Sequence, residues 1–292
     1  MRVLITGAAG QLGRSLVASA PDDATVRGLN REQLDIADAP AVDSALHDFR
    51  PDVLINAAGF TRVDDAERER EQAERVNALG PAVLAAACRH TGAWLVQVST
   101  DYVFDGEQSR PYAPASPTNP LSVYGRTKLL GEQAVTRELP SQSTVVRTSW
   151  LYAAEGRNFL TTMLRLMNSR PQLSVVCDQI GAPTSASGLA RVLWAFARRR
   201  ASGLYHWCDS GVASWYDFAV AIAEEAGWLG VLASSPPIVP IVSAEYPTAA
   251  RRPSCSLLDK RDSERLLSVH APHWRSALRD TLRTSTKAGV SR

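Results

Sequence analysis

Residues 6–13 read TGAAGQLG, so Gly7, Gly10 and Gly13 fall three apart, directly after the apolar run RVLIT and directly before a helical pattern. Little else in the chain restricts the fold as strongly. Glycines let the backbone turn tightly and approach a ligand closely, and a helix starting there offers unpaired N–H groups and a positive dipole end. At the first strand-to-helix turn of a parallel sheet, that combination suits a dinucleotide pyrophosphate; the alternative for glycines alone is a plain turn.

The rest of the first half supports such a sheet. Short β-branched runs at 2–6, 25–29, 52–57, 94–99 and 143–150 alternate with helical patterns near 11–19, 40–48, 72–90 and 122–138. This alternation predicts βαβ units and a doubly wound parallel sheet of the α/β class. The second half is less regular. Helices are expected near 158–169 and 185–200, within SWYDFAVAIAEEAG and within PHWRSALRDTLR, with strands in LSVVCD and GLYHWC. The proline-broken SSPPIVPIVSAEYP interrupts the pattern, and the Ser/Thr/Lys tail is expected to fray. The division expected is a dinucleotide-binding domain over 1–150, receiving parts of 172–240, and a smaller substrate-binding lobe mainly within 151–292.

Composition excludes several classes. With 292 residues, a formal net charge of +2, 45% hydrophobic and 21% charged residues, the chain reads as globular, with neither a nucleic-acid face nor a membrane patch. No apolar stretch reaches the roughly 18 residues of a membrane span, and no basic flank with a long apolar run opens the chain. The four cysteines form no C-x-x-C pair, so neither zinc nor a disulfide framework is indicated and a reducing cytoplasm is expected.

Side chains that carry chemistry gather at the predicted carboxyl edge of the sheet. The second strand ends in GLNRE, where a carboxylate would favour NAD and a cation the 2′-phosphate of NADP. Asn30 and Arg31 supply no carboxylate, so NADPH is favoured and NADH stays possible; the alternative for Arg31 is a solvated loop residue. Asp35 and Ile36 are placed to flank the adenine, and the small residues of NAAGF to lie near the nicotinamide. In SVYGRTKLLGE, Tyr124 and Lys128 share one helix face, an arrangement in which the ammonium is expected to lower the phenol's pKa. A phenol so tuned can protonate a carbonyl oxygen while a hydride arrives at the carbon. Thr100, at the end of VSTDY, can hydrogen-bond the same oxygen. The alternatives are a chance helical pair and a strand-end cap.

This ordered set resembles the extended short-chain dehydrogenase/reductase family, with Asn77 of RVNALG similar to its supporting asparagine. GQLG, STDYVFDG, YGRTKLLGE, VRTSWLY, DQIGAPT, GLYHW and YPTAARRP together resemble the dTDP-4-dehydrorhamnose reductase family over about 270 residues. The resemblance implies a Rossmann-like fold and NAD(P)H-dependent reduction of dTDP-4-dehydro-L-rhamnose to dTDP-L-rhamnose for cell-surface polysaccharide. It implies cofactor contacts at Gly10, Gln11, Leu12, Asp35, Ile36, Gly59, Phe60 and Thr61. Thr100 and Asp101 would hold the sugar, Trp150 would wall its pocket, and Arg251 and Arg252 would face the diphosphate, unless they are surface arginines beside proline. Some members dimerise through magnesium held by glutamates; the first two matching positions here are Ser15 and Ser187, poor ligands for that ion. No metal is expected, and a monomer or weak homodimer is. Two other readings remain: a nucleotide-sugar epimerase or dehydratase of the same superfamily, and a regulatory subunit similar to the beta subunit of methionine adenosyltransferase.

Overall fold

The computed structural model describes residues 1–289, with side chains through Thr284. Its centre is a parallel sheet of β1 (Arg2–Thr6), β2 (Thr25–Leu29), β3 (Val53–Asn56), β4 (Trp94–Thr100), β5 (Ser143–Thr148) and β6 (Gly203–His206), in the order β6-β5-β4-β3-β1-β2. The chain steps outward from β1 to β2, then crosses back to β3 on the other side. That reversal opens a crevice at the carboxyl ends of β1 and β3, where doubly wound sheets bind ligands.

Helices cover both faces: α1 (Gln11–Ala18), α2 (Ala39–Phe49), α3 (Gly80–Thr91), α4 (Val123–Glu138), α5 (Phe159–Met167), α6 (Ala186–Arg199), α7 (Trp215–Trp228) and α8 (Trp274–Gly289). The period-two alternation of the strands decides which face each side chain serves. Val3, Ile5, Val53, Ile55 and Val146 pack with Leu12 and Leu16 of α1 and Leu189, Leu193 and Phe196 of α6. Leu4, Leu54, Leu95 and Val145 pack on the opposite face with Val42, Leu46, Leu84 and Val135. Each fully buried aliphatic side chain of this kind contributes about 1.5–3 kcal/mol. The sheet is thereby a fixed platform for the loops at its edge.

A second core joins α5, α7 and α8 around Tyr152, Leu160, Phe218, Ile222, Leu278 and Leu282. Glu225, wholly buried on α7, holds Arg275 at 2.8 Å and Arg279 at 2.6 Å, tying α8 down. Beside it, Leu173–Val176 pairs in parallel with Ile238–Ile241, so a short strand forms within the proline-broken segment.

Three features differ from the sequence expectations. The helix expected over 72–90 is divided into Arg70–Glu74, a π-turn at Arg75–Leu79, and α3. Pro81 has no N–H to offer the carbonyl of Asn77, and the wider turn absorbs the break. The strand expected over 143–150 stops at Thr148, because Trp150 adopts φ 46°. Arg261–Leu267 forms a helix that the pattern did not reveal. The last helix continues to Gly289, and the end of the tail expected to fray lies outside the described residues.

Candidate active site

A ladder of side chains fixes the crevice. Thr6 Oγ1 donates to Asn56 Oδ1 at 2.6 Å, and Asn56 Nδ2 donates to Gln97 Oε1 at 2.8 Å, linking the ends of β1, β3 and β4. Above it, Gly7 has φ 68°, and a Cβ there would lie 2.6 Å from the Ala58 nitrogen. A Cβ on Gly13 would lie 2.1 Å from the Gly7 carbonyl oxygen. Only missing side chains allow the glycine loop, the loop after β3 and the start of α1 to converge.

The resulting cleft, of about 260 Å³, is lined by Gly7, Gly10, Arg31, Asp35, Ile36, Gly59, Phe60 and Thr61, with Arg62 and Arg75 among its other walls. Eight of the expected cofactor residues therefore share one cavity. Arg75 pairs with Asp35 at 2.6 Å; burial opposes ionisation there, but the Ala37 N–H and Arg75 outweigh it and hold the carboxyl below its ordinary range. A cradle without side chains, a helix N-terminus and arginines along one wall fit an anionic dinucleotide.

The other expected contacts sit elsewhere. Leu12 lies in the core, and Gly13 serves the packing of α1. Gln11 Nε2 donates to the Leu151 carbonyl at 3.2 Å. The Asn30 side chain accepts from the N–H groups of Glu32 at 2.9 Å and Gln33 at 3.0 Å, shaping the loop that carries Arg31.

Across the crevice, α4 begins where Ser122 Oγ accepts from the Gly125 N–H at 3.2 Å and Glu67 Oε1 accepts from the Val123 N–H at 2.8 Å. A Cβ on Gly125 would lie 2.1 Å from the Tyr102 carbonyl oxygen, so this glycine lets α4 press against the loop after β4. Tyr124 is thereby brought beside Thr100. Burial pushes the Tyr124 phenol up to about 12, Thr100 opposing and Asp101 reinforcing the shift. One turn on, Lys128 is buried and its Nζ donates to the Val98 carbonyl at 2.7 Å. Burial lowers this ammonium to about 8, against Glu132, which raises it. The expectation that Lys128 lowers the phenol's pKa is thus corrected: desolvation dominates both groups, and the ammonium is bonded to the backbone.

The glycine-lined cleft and α4 meet at Gly59, where an added Cβ would lie 3.9 Å from Lys128 Nζ and 3.4 Å from Asn77 Oδ1. Asn77 accepts from the Phe60 N–H at 2.8 Å and donates to the Phe60 carbonyl at 3.0 Å and Thr127 Oγ1 at 3.2 Å. Its π-turn therefore pins the cofactor loop to α4. Glu132, which the sequence reading did not single out, is gripped by Arg147 at 2.9 and 2.7 Å and by the Ser99 hydroxyl. Its spacing from Lys128 was the available signal. Asp101 is buried, accepts from Thr100 Oγ1 at 3.1 Å, and is raised by burial to about 6.

On the C-terminal side, Trp150 stacks on Trp215 with centroids 3.5 Å apart and planes 3° apart. A Cβ on Gly181 would lie 2.5 Å from the Trp150 ring, and Gln179 Oε1 accepts from Trp215 Nε1 at 3.2 Å. A bulky residue at positive φ is uncommon, and the stack on Trp215 and the bare Gly181 hold Trp150 there. Arg252 is part-buried and paired with Asp64 at 2.7 Å, whereas Arg251 is exposed. Ser15 and Ser187 line a separate cleft of about 240 Å³ with Gln11, Arg14, Tyr152 and Glu155. Among the described residues no group of three or more His, Cys, Asp or Glu is placed to hold a metal ion, and no helix is long and apolar enough to cross a membrane.

A dTDP-4-dehydrorhamnose reductase of Burkholderia thailandensis is 41% identical over 291 residues, covering 95% of this chain and 97% of the relative. A dTDP-4-keto-6-deoxy-D-glucose reductase of Streptomyces niveus is 46% identical over 225 residues, covering 75% of this chain and 76% of the relative. The solved structure of dTDP-4-dehydrorhamnose reductase from Bacillus anthracis, in complex with NADP, superposes with a TM-score of 0.91 at 35% identity, covering 97% of this chain and 99% of that one. The family described as RmlD substrate binding domain matches residues 1–287, and the chain belongs to that family.

Proposed function

We propose that this protein reduces the 4-keto group of dTDP-4-dehydro-L-rhamnose to the alcohol of dTDP-L-rhamnose, using NADPH. One observation carries the reading furthest: Tyr124 lies beside Thr100, and one turn on Lys128 approaches the glycine-lined cleft at Gly59. The named relatives support the choice of a dTDP-linked keto sugar.

When bound, NADPH supplies the hydride that the carbonyl carbon receives. Tyr124, neutral until about pH 12, holds the proton that the carbonyl oxygen needs and transfers it as negative charge develops there. Thr100 Oγ1, turning from Asp101 when the sugar binds, donates a second hydrogen bond to that oxygen. Lys128, which approaches the cleft at Gly59, holds the nicotinamide ribose, and solvent restores the Tyr124 proton. Asn77 keeps the Gly59–Thr61 loop in register with α4. Trp150 walls the sugar, Asp101 lies beneath it, and Arg251 and Arg252 lie toward the diphosphate. The protein needs no metal and is a monomer or weak homodimer in the cytoplasm.

The test is cofactor balance. One NADPH oxidised per sugar, with dTDP-L-rhamnose as product, is the outcome expected. Conversion of the sugar with no net oxidation would instead indicate an epimerase.

A further inference from the structure

Residues 242–253 form a strap that leaves the C-terminal lobe, reaches the Val63–Ala66 turn after β3 and returns. Its first end is anchored where Ser243 donates through its backbone N–H at 2.9 Å and its hydroxyl at 2.6 Å to Asp178 Oδ1. Its far end is anchored where Ser254 Oγ donates to the Gly106 carbonyl at 2.8 Å. Between these anchors residues 244–249 are all exposed, and then Ala250 is abruptly buried.

Asp64, on a short helical turn after β3, makes that burial. Its Oδ1 accepts from the Ala250 N–H at 3.0 Å and Arg252 Nη1 at 3.1 Å, and its Oδ2 accepts from Arg252 Nη2 at 2.7 Å. Exposed ion pairs contribute little, but a forked arginine contact backed by a backbone donor is geometrically specific. The same turn carries Glu67, which accepts from the Val123 N–H at the start of α4. Arg252 also faces Tyr102, whose ring meets Tyr124 edge-on at 5.6 Å. One turn of helix therefore holds both the strap and the first residue of the catalytic helix.

We propose that Asp64 is a positioning residue that latches the strap, through Arg252 and the Ala250 N–H, over the substrate side of the site. The inference rests on the proposed reductase reading for the identity of the substrate. Neither Asp64 nor Arg252 lines the cofactor cleft, so the latch should govern sugar binding and leave the cofactor untouched.

The test has two arms. Hydrogen exchange at residues 245–252, measured without any sugar, should be faster in Asp64→Asn than in the native protein. In turnover, Asp64→Asn should raise the KM for the nucleotide sugar about tenfold, the loss of one charge-assisted contact, while kcat and the NADPH Kd stay within about twofold. The Asp64→Ala, Arg252→Ala double variant should be no worse than Arg252→Ala alone. Unchanged exchange, a matching loss of NADPH affinity, or independent losses that multiply would overturn the latch. Absent turnover of this sugar by the native protein would count against the reductase reading, and the exchange arm would still decide the latch.

Discussion

Lys128 donates to the Val98 carbonyl at 2.7 Å from a buried position, one helical turn before Glu132. Burial brings its ammonium down to about 8 while Glu132 pulls the other way. The charge that Lys128 presents to the cofactor is therefore lost as pH rises through about 8, and kcat/KM should fall along an alkaline limb there. Glu132→Gln removes the contribution that raises the lysine, so the limb should move to lower pH. A pH–rate profile of both proteins checks this, and an unmoved limb would show that another group titrates.

The glycine cradle predicts a contrast between two substitutions. Gly7→Ala forces an alanine to φ 68° and places its Cβ 2.6 Å from the Ala58 nitrogen, whereas Gly92→Ala at φ 78° meets nothing within 4 Å. Both carry the left-handed cost of about 1–2 kcal/mol, but only Gly7→Ala must also move the crevice. Thermal denaturation should show the larger loss for Gly7→Ala, and NADPH titration should show binding lost there and retained in Gly92→Ala.

How far the site could be read from sequence follows the distance over which each part is built. The glycine loop, and Tyr124 with Lys128, are local patterns whose spacing carries their geometry. Strands β1 and β2 were likewise readable to the residue, because β-branched runs between turn signals have sharp ends. Asp64 and Arg252 lie far apart in the chain, as do Trp150 and Trp215, and no local periodicity links either pair. The pKa of Lys128 depends on burial under β4, which spacing alone does not reveal. The π-turn at Asn77 was hidden because apolar periodicity runs through it, and only Pro81 hinted at the break.

Arg31 lies on the wall of the cofactor cleft, exposed at its rim. Arg31→Ala should raise the KM for NADPH about tenfold, the loss of one charge-assisted contact of roughly 1.5 kcal/mol, with little change for NADH. Steady-state kinetics with both cofactors is the check; equal effects would remove Arg31 from 2′-phosphate recognition.

Ser15 and Ser187 meet in one cleft, where Glu155 supplies a carboxylate. Hydroxyls are weak magnesium ligands, so EDTA should leave turnover and sedimentation unchanged. A dimer that dissociates on chelation, with activity lost alongside, would mean that Glu155 helps to hold a cation there.

Tyr124 as the proton donor is the centre of this account, and turnover of dTDP-4-dehydro-L-rhamnose by Tyr124→Phe, measured beside NADPH binding to the same protein, tests it most directly. The loss of the proton should lower kcat by on the order of a hundredfold or more while NADPH affinity stays nearly unchanged. Near-native turnover by Tyr124→Phe would contradict the account.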